Sequence, residues 1–389
     1  MKSVDIENLY YITHIDNIPS ILQQGILSHA EVENQNVQYT PIYDSSIVNR
    51  RRDIPTPDGR RLWNFANLYF QPRNPMLYRV ISEKNKRQIV IIAVKPDILQ
   101  RSDSLISTGN AASSASEIVL TQQGLKFIKQ MWPVIRSEWW NPADGSKRKI
   151  MAECLIPQRI TPDFVDSIYV SDHAAAENLR QLVPGIDKPV IPEPHMFFQP
   201  KWSTRLTDKM SLVEGDMFFS TMQTLTVSVN TVGIMGKGLA SRAKHQFPDV
   251  YVVYQDACRK KKLQMGKPYL YKRESLIDEQ LADEPSSLPN PNANKWFLLF
   301  ATKKSWRQDA DFDGIEKGLK WIKNNYEKED IKSLAMPALG CGLGNLTWQD
   351  VGPLMCKYLS TLKIHVAIYL PREREIPEEL LTQKFLLGK

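Results

Sequence analysis

The chain has 389 residues, 42% of them hydrophobic and 24% charged, with a formal net charge of +7. These ordinary globular values exclude a disordered chain, a collagen-like repeat and a solenoid, and roughly 100–200 residues per domain predicts two domains. Residues 1–200 hold 22 Lys/Arg against 21 Asp/Glu and the remainder 28 against 22, which suits an anionic partner without the excess of a histone-like binder. No run of about 18 apolar residues is present, and Met1–Asn8 lacks the apolar stretch of a signal peptide. Cys154, Cys258, Cys341 and Cys356 form no CxxC pair, and with six His no metal site is expected. A soluble, cytoplasmic protein without membrane contact is the expectation.

Residues 1–200 contain no glycine-rich loop and no βαβ rhythm. A helix is expected over Ile18–Gln24, closed by Gly25 as a left-handed cap, with strands at Gln88–Val94 and Asp166–Val170. Mixed α+β follows. The polar features are Tyr10-Tyr-Ile-Thr13-His14, the triplet Arg50-Arg51-Arg52, Leu68-Tyr-Phe-Gln-Pro-Arg-Asn-Pro-Met-Leu77, and Glu153 among apolar neighbours at the edge of a strand. Each alone has an ordinary reading: a satisfied histidine, a solvated charged face, an edge-strand gatekeeper. The stretch from Trp132 through Trp139-Trp140 to Lys147-Arg148-Lys149 leads into Glu153, and aromatics followed by cations are what a single-stranded base-stacking platform needs.

Five prolines between Pro184 and Pro200 argue against helix or central strand and place the domain boundary at 200, giving domains 1–200 and 201–389. Beyond it, strands are expected near Met210 and at Thr224–Asn230, Trp296–Ala301, Ile331–Met336 and Ile364–Leu370. Helices are expected at Leu239–Lys262, Gly314–Glu327 and Trp348–Leu362. The breaker-rich Asp283–Asn294 reads as a surface loop. This order predicts an α/β domain, a mixed sheet with helices on both faces. Two glycine clusters, Val232–Ala240 and Ala338–Asn345, fall at strand ends, where close backbone approach and helix-start N–H groups suit a diphosphate.

Residues 210–370 resemble a macro domain, the ADP-ribose-binding fold. The resemblance rests on Val213-Glu-Gly-Asp216-Met, Asn230-Thr-Val-Gly-Ile-Met-Gly-Lys-Gly238 and Met336-Pro-Ala-Leu-Gly-Cys-Gly-Leu-Gly344. It implies that Asp216 accepts from the adenine amino group. Asn230, Gly236, Gly238, Gly340, Gly342 and Gly344 would line the diphosphate and distal ribose. The subgroup that includes the DarG antitoxins carries a lysine in a Thr-Lys-Lys context, here Thr302-Lys303-Lys304. Lys303 is therefore the expected catalytic lysine, ahead of Lys304 and Lys237. Some relatives pair it with an Asp where this chain has Gly344. DarG proteins also tend to carry a further C-terminal domain, whereas residues 371–389 alone follow the last strand here.

The first-half motifs, in order, resemble DarT, a family of NAD-dependent transferases that ADP-ribosylate bases of single-stranded DNA. The resemblance implies that Glu153 is the catalytic glutamate facing the oxocarbenium character at the ribose carbon. It implies that Thr13, His14, Arg50 and Arg51 bind NAD, with Arg51 also assisting at the target base. Trp139, Trp140, Lys147 and Arg148 are the expected DNA-binding residues. NAD is thus expected as substrate, with no metal, and ADP-ribose or ADP-ribosylated single-stranded DNA as partner. Contact between the two domains is a further expectation. Together the halves read as a self-limited DNA modifier, a toxin–antitoxin or defence fusion. The alternatives are an ADP-ribose reader joined to a non-catalytic transferase-like fold, and a transferase acting on RNA.

Overall fold

Ile-Val-Ile-Ile-Ala-Val at 89–94 buries six consecutive side chains, the pattern of a strand covered on both faces. It anchors the first of two large sheets in the computed structural model, which describes residues 6–43, 48–141, 144–273, 295–371 and 374–388. The stretch Asp283–Asn294 lies outside the described residues, as do Met1–Asp5 and Pro142–Ala143. By its contacts the chain divides into residues 1–198 and 199–389.

The first unit contains β1 (Leu9–His14), β2 (Phe65–Tyr69), β3 (Ile89–Val94), β4 (Leu105–Ser107), β5 (Ile118–Leu120), β6 (Glu153–Pro157), β7 (Val165–Val170) and β8 (Val190–Pro192). They form one sheet in the order β8-β7-β3-β1-β2-β6-β4-β5. Every pairing is antiparallel except β8 with β7. The proline-rich stretch thus contributes a strand, at the sheet edge where a missing N–H is tolerated. Cys154 and Ile156 of β6 face the main core, packed with Ile18 and Ile21 of α1 (Ile18–Gln24) and Ile128 of α2 (Thr121–Ile135). Their alternates Glu153 and Leu155 face the other way, where Leu155 joins Leu62, Phe65, Leu105 and Ala111 in a smaller cluster. The sheet therefore places Glu153 on its thinner side.

In the second unit the order is β9-β10-β15-β14-β11-β13-β12. Here β9 is Trp202–Arg205, β10 Met210–Glu214, β11 Thr224–Asn230, β12 Tyr269–Tyr271, β13 Trp296–Lys303, β14 Ser333–Pro337 and β15 His365–Tyr369. The five inner strands are parallel and the two outer ones antiparallel to their neighbours. Along β13, Leu298 and Phe300 pack under α5 (Phe312–Asn325) and α6 (Trp348–Leu359). Phe297, Leu299 and Ala301 pack against the opposite layer, α3 (Gly238–Gln246) and α4 (Pro248–Arg259). The helix expected over Leu239–Lys262 is thus two helices meeting at Phe247. A residue before proline is driven out of helical conformation, and Phe247 sits at φ −134°, ψ 76°. β11, β13 and β14 all end at one rim of the sheet, and the glycine loops follow β11 and β14 there.

Helix α5 approaches the sheet through Gly318, where a Cβ would stand 2.3 Å from the Phe300 ring. Gly318→Ala should destabilise the second unit by about 1–3 kcal/mol through overpacking. Phe300→Leu in the same chain should recover part of that loss, so the double variant is more stable than the sum of the singles predicts. Urea unfolding of the four proteins measures both.

Candidate active sites

Glu153 is completely buried, yet it starts a strand in the interior of the sheet, which excludes an edge gatekeeper. A carboxylate there needs a counter-charge and hydrogen bonds. Arg51 supplies both, donating through two nitrogens to Oε1 and Oε2 at 3.3 and 2.8 Å. The Ala111 amide donates to Oε1 at 2.9 Å, and the Glu153 amide donates to Ser107 Oγ at 3.0 Å. Arg51 is itself 12% exposed. Burial opposes its charge, and the Glu153 carboxylate more than offsets that, holding the guanidinium above its ordinary range. Arg51 is therefore held as a cation against Glu153. Of the triplet, Arg50 lies exposed, while Arg52 pairs with Glu33 and lies 4.4 Å over the Trp63 ring.

Thr13 and His14 end β1, both buried. Tyr10 on the same strand pairs with Tyr69, which pairs with Glu153, so His14 lies about 13 Å along the strand from the level of Glu153. Thr13 Oγ1 accepts from Asn17 Nδ2 at 2.9 Å, and Asn17 binds both backbone groups of Thr40. That clamp folds residues 37–43 over the end of β1. It closes a cleft lined by Tyr11, Thr13, Asn17, His29, Tyr39 and Tyr43, among others. His29 stacks on Trp63 at 4.3 Å and Tyr43 stands edge-on to it. Burial, then the Arg51 charge, pushes His29 down to about 4.

The expected DNA-binding residues divide. Trp140 sits edge-on to Tyr78 and Phe198 at 5.9 and 6.1 Å, in an aromatic cluster, and is half-buried like Trp139. Arg148 donates to Ser116 at 3.1 Å and its carbonyl accepts from Asn110, bracing the loop that carries Ala111. Lys147 lies beside it in the turn Ser146–Lys149.

In the second unit Asn230 organises the first glycine loop. Its Oδ1 accepts from Val232 N and Tyr254 Oη at 3.0 and 2.8 Å, and its Nδ2 donates to Ile234 O at 2.7 Å. Gly238 takes φ +59° and Gly340 +75°, so these two turns favour glycine. Gly236 is exposed at the bend before α3, and Gly342 is half-buried in the second loop. At Gly344 a Cβ would meet Gly340 O at 2.6 Å and Ala310 Cβ at 2.9 Å. No aspartate fits there. Lys303 ends β13 opposite Asn230, and its Nζ donates to Leu343 O at 3.1 Å, so it stands between the two loops. Lys304 and Lys237 are exposed. Asp216 accepts from the Phe218 amide at 3.1 Å and pairs with Arg242, which lies 5.0 Å over Phe218.

Among the described residues, no helix is long and apolar enough to cross a membrane, and no group of three or more His, Cys, Asp or Glu could hold a metal ion. Residues 10–198 match the family described as "ssDNA thymidine ADP-ribosyltransferase, DarT", and residues 291–355 match "Macro domain". A DNA ADP-ribosyl transferase–DNA ADP-ribosyl glycohydrolase fusion protein of Thermosipho africanus is 58% identical over 97% of this chain and 98% of its own. The structure of Thermosipho africanus DarTG in complex with ADP-ribose is 56% identical, with a TM-score of 0.91 over 98% of this chain and 100% of that one. This chain belongs to the DarT–DarG fusion family. A DNA ADP-ribosyl glycohydrolase of Thermus aquaticus is 32% identical over 42% of each chain.

Several residues of this DarT–DarG chain escaped the sequence reading. Ala111 acts through a backbone amide, which no side-chain pattern reveals. His29, Trp63 and Tyr43 come together only in the fold. Tyr254 holds Asn230 from a helix turn that reads as ordinary core. Arg242 reads as one of many surface cations until α3 places it on Asp216.

His29 yields a prediction. Its folded-state value near 4 lies below the usual 6.5, so between those limits the unfolded chain binds more protons. Stability from this group is present above about pH 6.5 and is lost as pH falls towards about 4. Replacing His29 by Gln should flatten that loss in the first unit, measured by thermal unfolding at pH 7 and pH 5.

Proposed function

We propose that residues 1–198 transfer ADP-ribose from NAD to a base of single-stranded DNA, and that residues 199–389 remove it by hydrolysis. Thymidine, the nucleoside in the family description, is the proposed acceptor, through its thymine base. The observation that carries the reading is the buried Glu153 carboxylate fixed by Arg51 and the Ala111 amide. A carboxylate already held in place stabilises positive charge developing at the ribose carbon without reorganising during the reaction.

In the transfer step the bond from ribose C1′ to the nicotinamide nitrogen breaks and its electron pair leaves with nicotinamide. The base nitrogen bonds to C1′ and its proton passes to solvent. Glu153 faces the developing cation. Arg51 holds the carboxylate and reaches a phosphate of NAD, with Arg50 beside it. Thr13 and His14, farther along the strand, take the adenosine side, a separation that suits an extended dinucleotide. DNA approaches along Trp139, Trp140 and Lys147, with Arg148 holding the adjoining loop.

In the removal step water bonds to C1″, the C1″–base bond breaks, and the base nitrogen takes a proton. Lys303 presents its amine at the distal ribose, between glycine loops that wrap the diphosphate through Gly236, Gly238, Gly340, Gly342 and Gly344. Asn230 shapes the first loop, and Asp216 takes the adenine amino group. The ADP-ribose fits a rim where two turns require glycine and a third position admits no Cβ. Four free cysteines suit action in the cytoplasm.

The test uses the full chain with NAD and a single-stranded oligonucleotide, read by intact mass. Lys303→Ala should accumulate DNA carrying one ADP-ribose, whereas Glu153→Gln should lower transfer by about 100-fold or more. Near-normal transfer by Glu153→Gln would overturn the site assignment, and modification of an RNA oligonucleotide instead would overturn the acceptor.

A further inference from the structure

Residues 304–310, immediately after Lys303, form a turn pinned to both glycine loops. The Thr231 amide and hydroxyl donate to Lys304 O at 3.2 and 3.0 Å. At the other end the Ala310 amide donates to Gly344 O at 2.9 Å and Asn345 Nδ2 donates to Asp309 Oδ1 at 2.6 Å. Within the turn the Gln308 amide donates to Ser305 O, and the Arg307 amide to Ser305 Oγ. The turn is thereby held in register with the rim where Lys303 stands.

What this braced turn presents is an indole. Trp306 is 54% exposed, and the Arg307 guanidinium lies 4.7 Å over its ring. Of the seven exposed large apolar side chains among the described residues of this unit, five lie on this rim: Val232, Ile234, Trp306, Phe312 and Leu343. Single exposed apolar residues are commonplace, whereas such clustering marks a binding surface. Cations accompany it: Lys237 and Lys304 are exposed, and Arg307 stands on the indole. Of the nearby carboxylates, Asp309 is engaged by Asn345, Asp311 caps the start of α5, and Asp313 lies exposed in its first turn.

We propose that Trp306 and Arg307 form the site on the macro domain that holds the DNA strand of the ADP-ribosylated substrate. Trp306 stacks a base flanking the modified one, and Arg307 meets the adjoining phosphate. Trp306 follows Lys303 by three residues, so the two Cα atoms are at most about 11 Å apart. A strand whose modified base lies at the lysine reaches the indole with a neighbouring nucleotide. Aromatic stacking is tolerant of sequence, which suits an enzyme that must clear every modified site. The surface makes the domain prefer modified polynucleotide over a modified nucleoside. The inference rests on the removal activity proposed above.

The experiment uses the full chain without NAD, so that no transfer occurs. Release of ADP-ribose is followed from a pre-modified single-stranded oligonucleotide and from ADP-ribosylated thymidine nucleoside. Trp306→Ala should raise KM for the oligonucleotide about tenfold and leave kcat and nucleoside turnover near wild type. Trp306→Tyr should restore most of the loss, and Arg307→Gln should weaken the salt dependence of KM. An unchanged oligonucleotide KM in Trp306→Ala, or an equal loss on the nucleoside, overturns the inference. If the wild-type chain releases ADP-ribose from neither substrate, the removal activity itself fails. Release by wild type with an indifferent Trp306→Ala removes only the docking surface.

Discussion

A carboxylate with no solvent exposure, at the first position of an interior strand, governs the first unit. Removing one partner from a buried ion pair costs about 3–5 kcal/mol, because the other charge is left without compensation. Glu153 therefore fixes what surrounds it. Arg51 must be carried inward by the short turn Arg50–Asp53, and the loop after β4 must deliver the Ala111 amide. Ser107, the last residue of β4, ties that loop to the Glu153 backbone and to Gly109 O. Arg148 braces it from the far side.

The second unit solves a different problem with backbone. A diphosphate asks for N–H groups at close approach, and the sheet offers them where parallel strands end together. Side chains here shape the loops. Asn230 spends its polar atoms on Val232, Ile234 and Tyr254, and a side chain at Gly344 would strike Gly340. The loops meet one another as well: a Cβ at Gly238 would stand 3.0 Å from Leu343. Lys303 bonds the carbonyl of that same Leu343, so this side chain is seated by the second loop.

Legibility in the sequence followed the range of the physics. The βαβ order of the second half, the buried strand at 89–94 and the glycine loops are local patterns, and they stand where periodicity and strand-end logic place them. The break at Phe247–Pro248 was equally local, and the continuous helix over 239–262 overlooked the conformational restriction before proline. The edge strand Val190–Pro192 is intelligible only from its neighbour β7, since prolines alone argue against a strand. Glu153 and Arg51, 102 residues apart, were linked by resemblance and not by any pattern within the chain. Trp140, beside its run of cations, reads as part of a stacking platform. Its packing against Tyr78 and Phe198 depends on segments about 60 residues to either side, which no local window contains.

On the proposed assignment the two sites act on the same kind of bond, ribose carbon to nitrogen, one with Glu153 and the other with Lys303, and the leaving groups differ. Nicotinamide in NAD is a cationic leaving group; it departs neutral and needs no acid. The transfer site as proposed then requires only a carboxylate to stabilise the ribosyl cation, and an arginine to hold that carboxylate in place. A base in DNA is neutral while linked and departs with excess negative charge unless it is protonated. At residue 344, where some relatives have an Asp, a side chain would strike Gly340 O and Ala310. On the proposed assignment Lys303, seated between the two glycine loops, is the side chain placed to assist the departure of the base. Joining both sites in one chain gives the eraser a high local concentration near the writer's product. The lifetime of the mark then depends on how fast a strand passes from the carboxylate site to the lysine site, rather than on the encounter of two proteins.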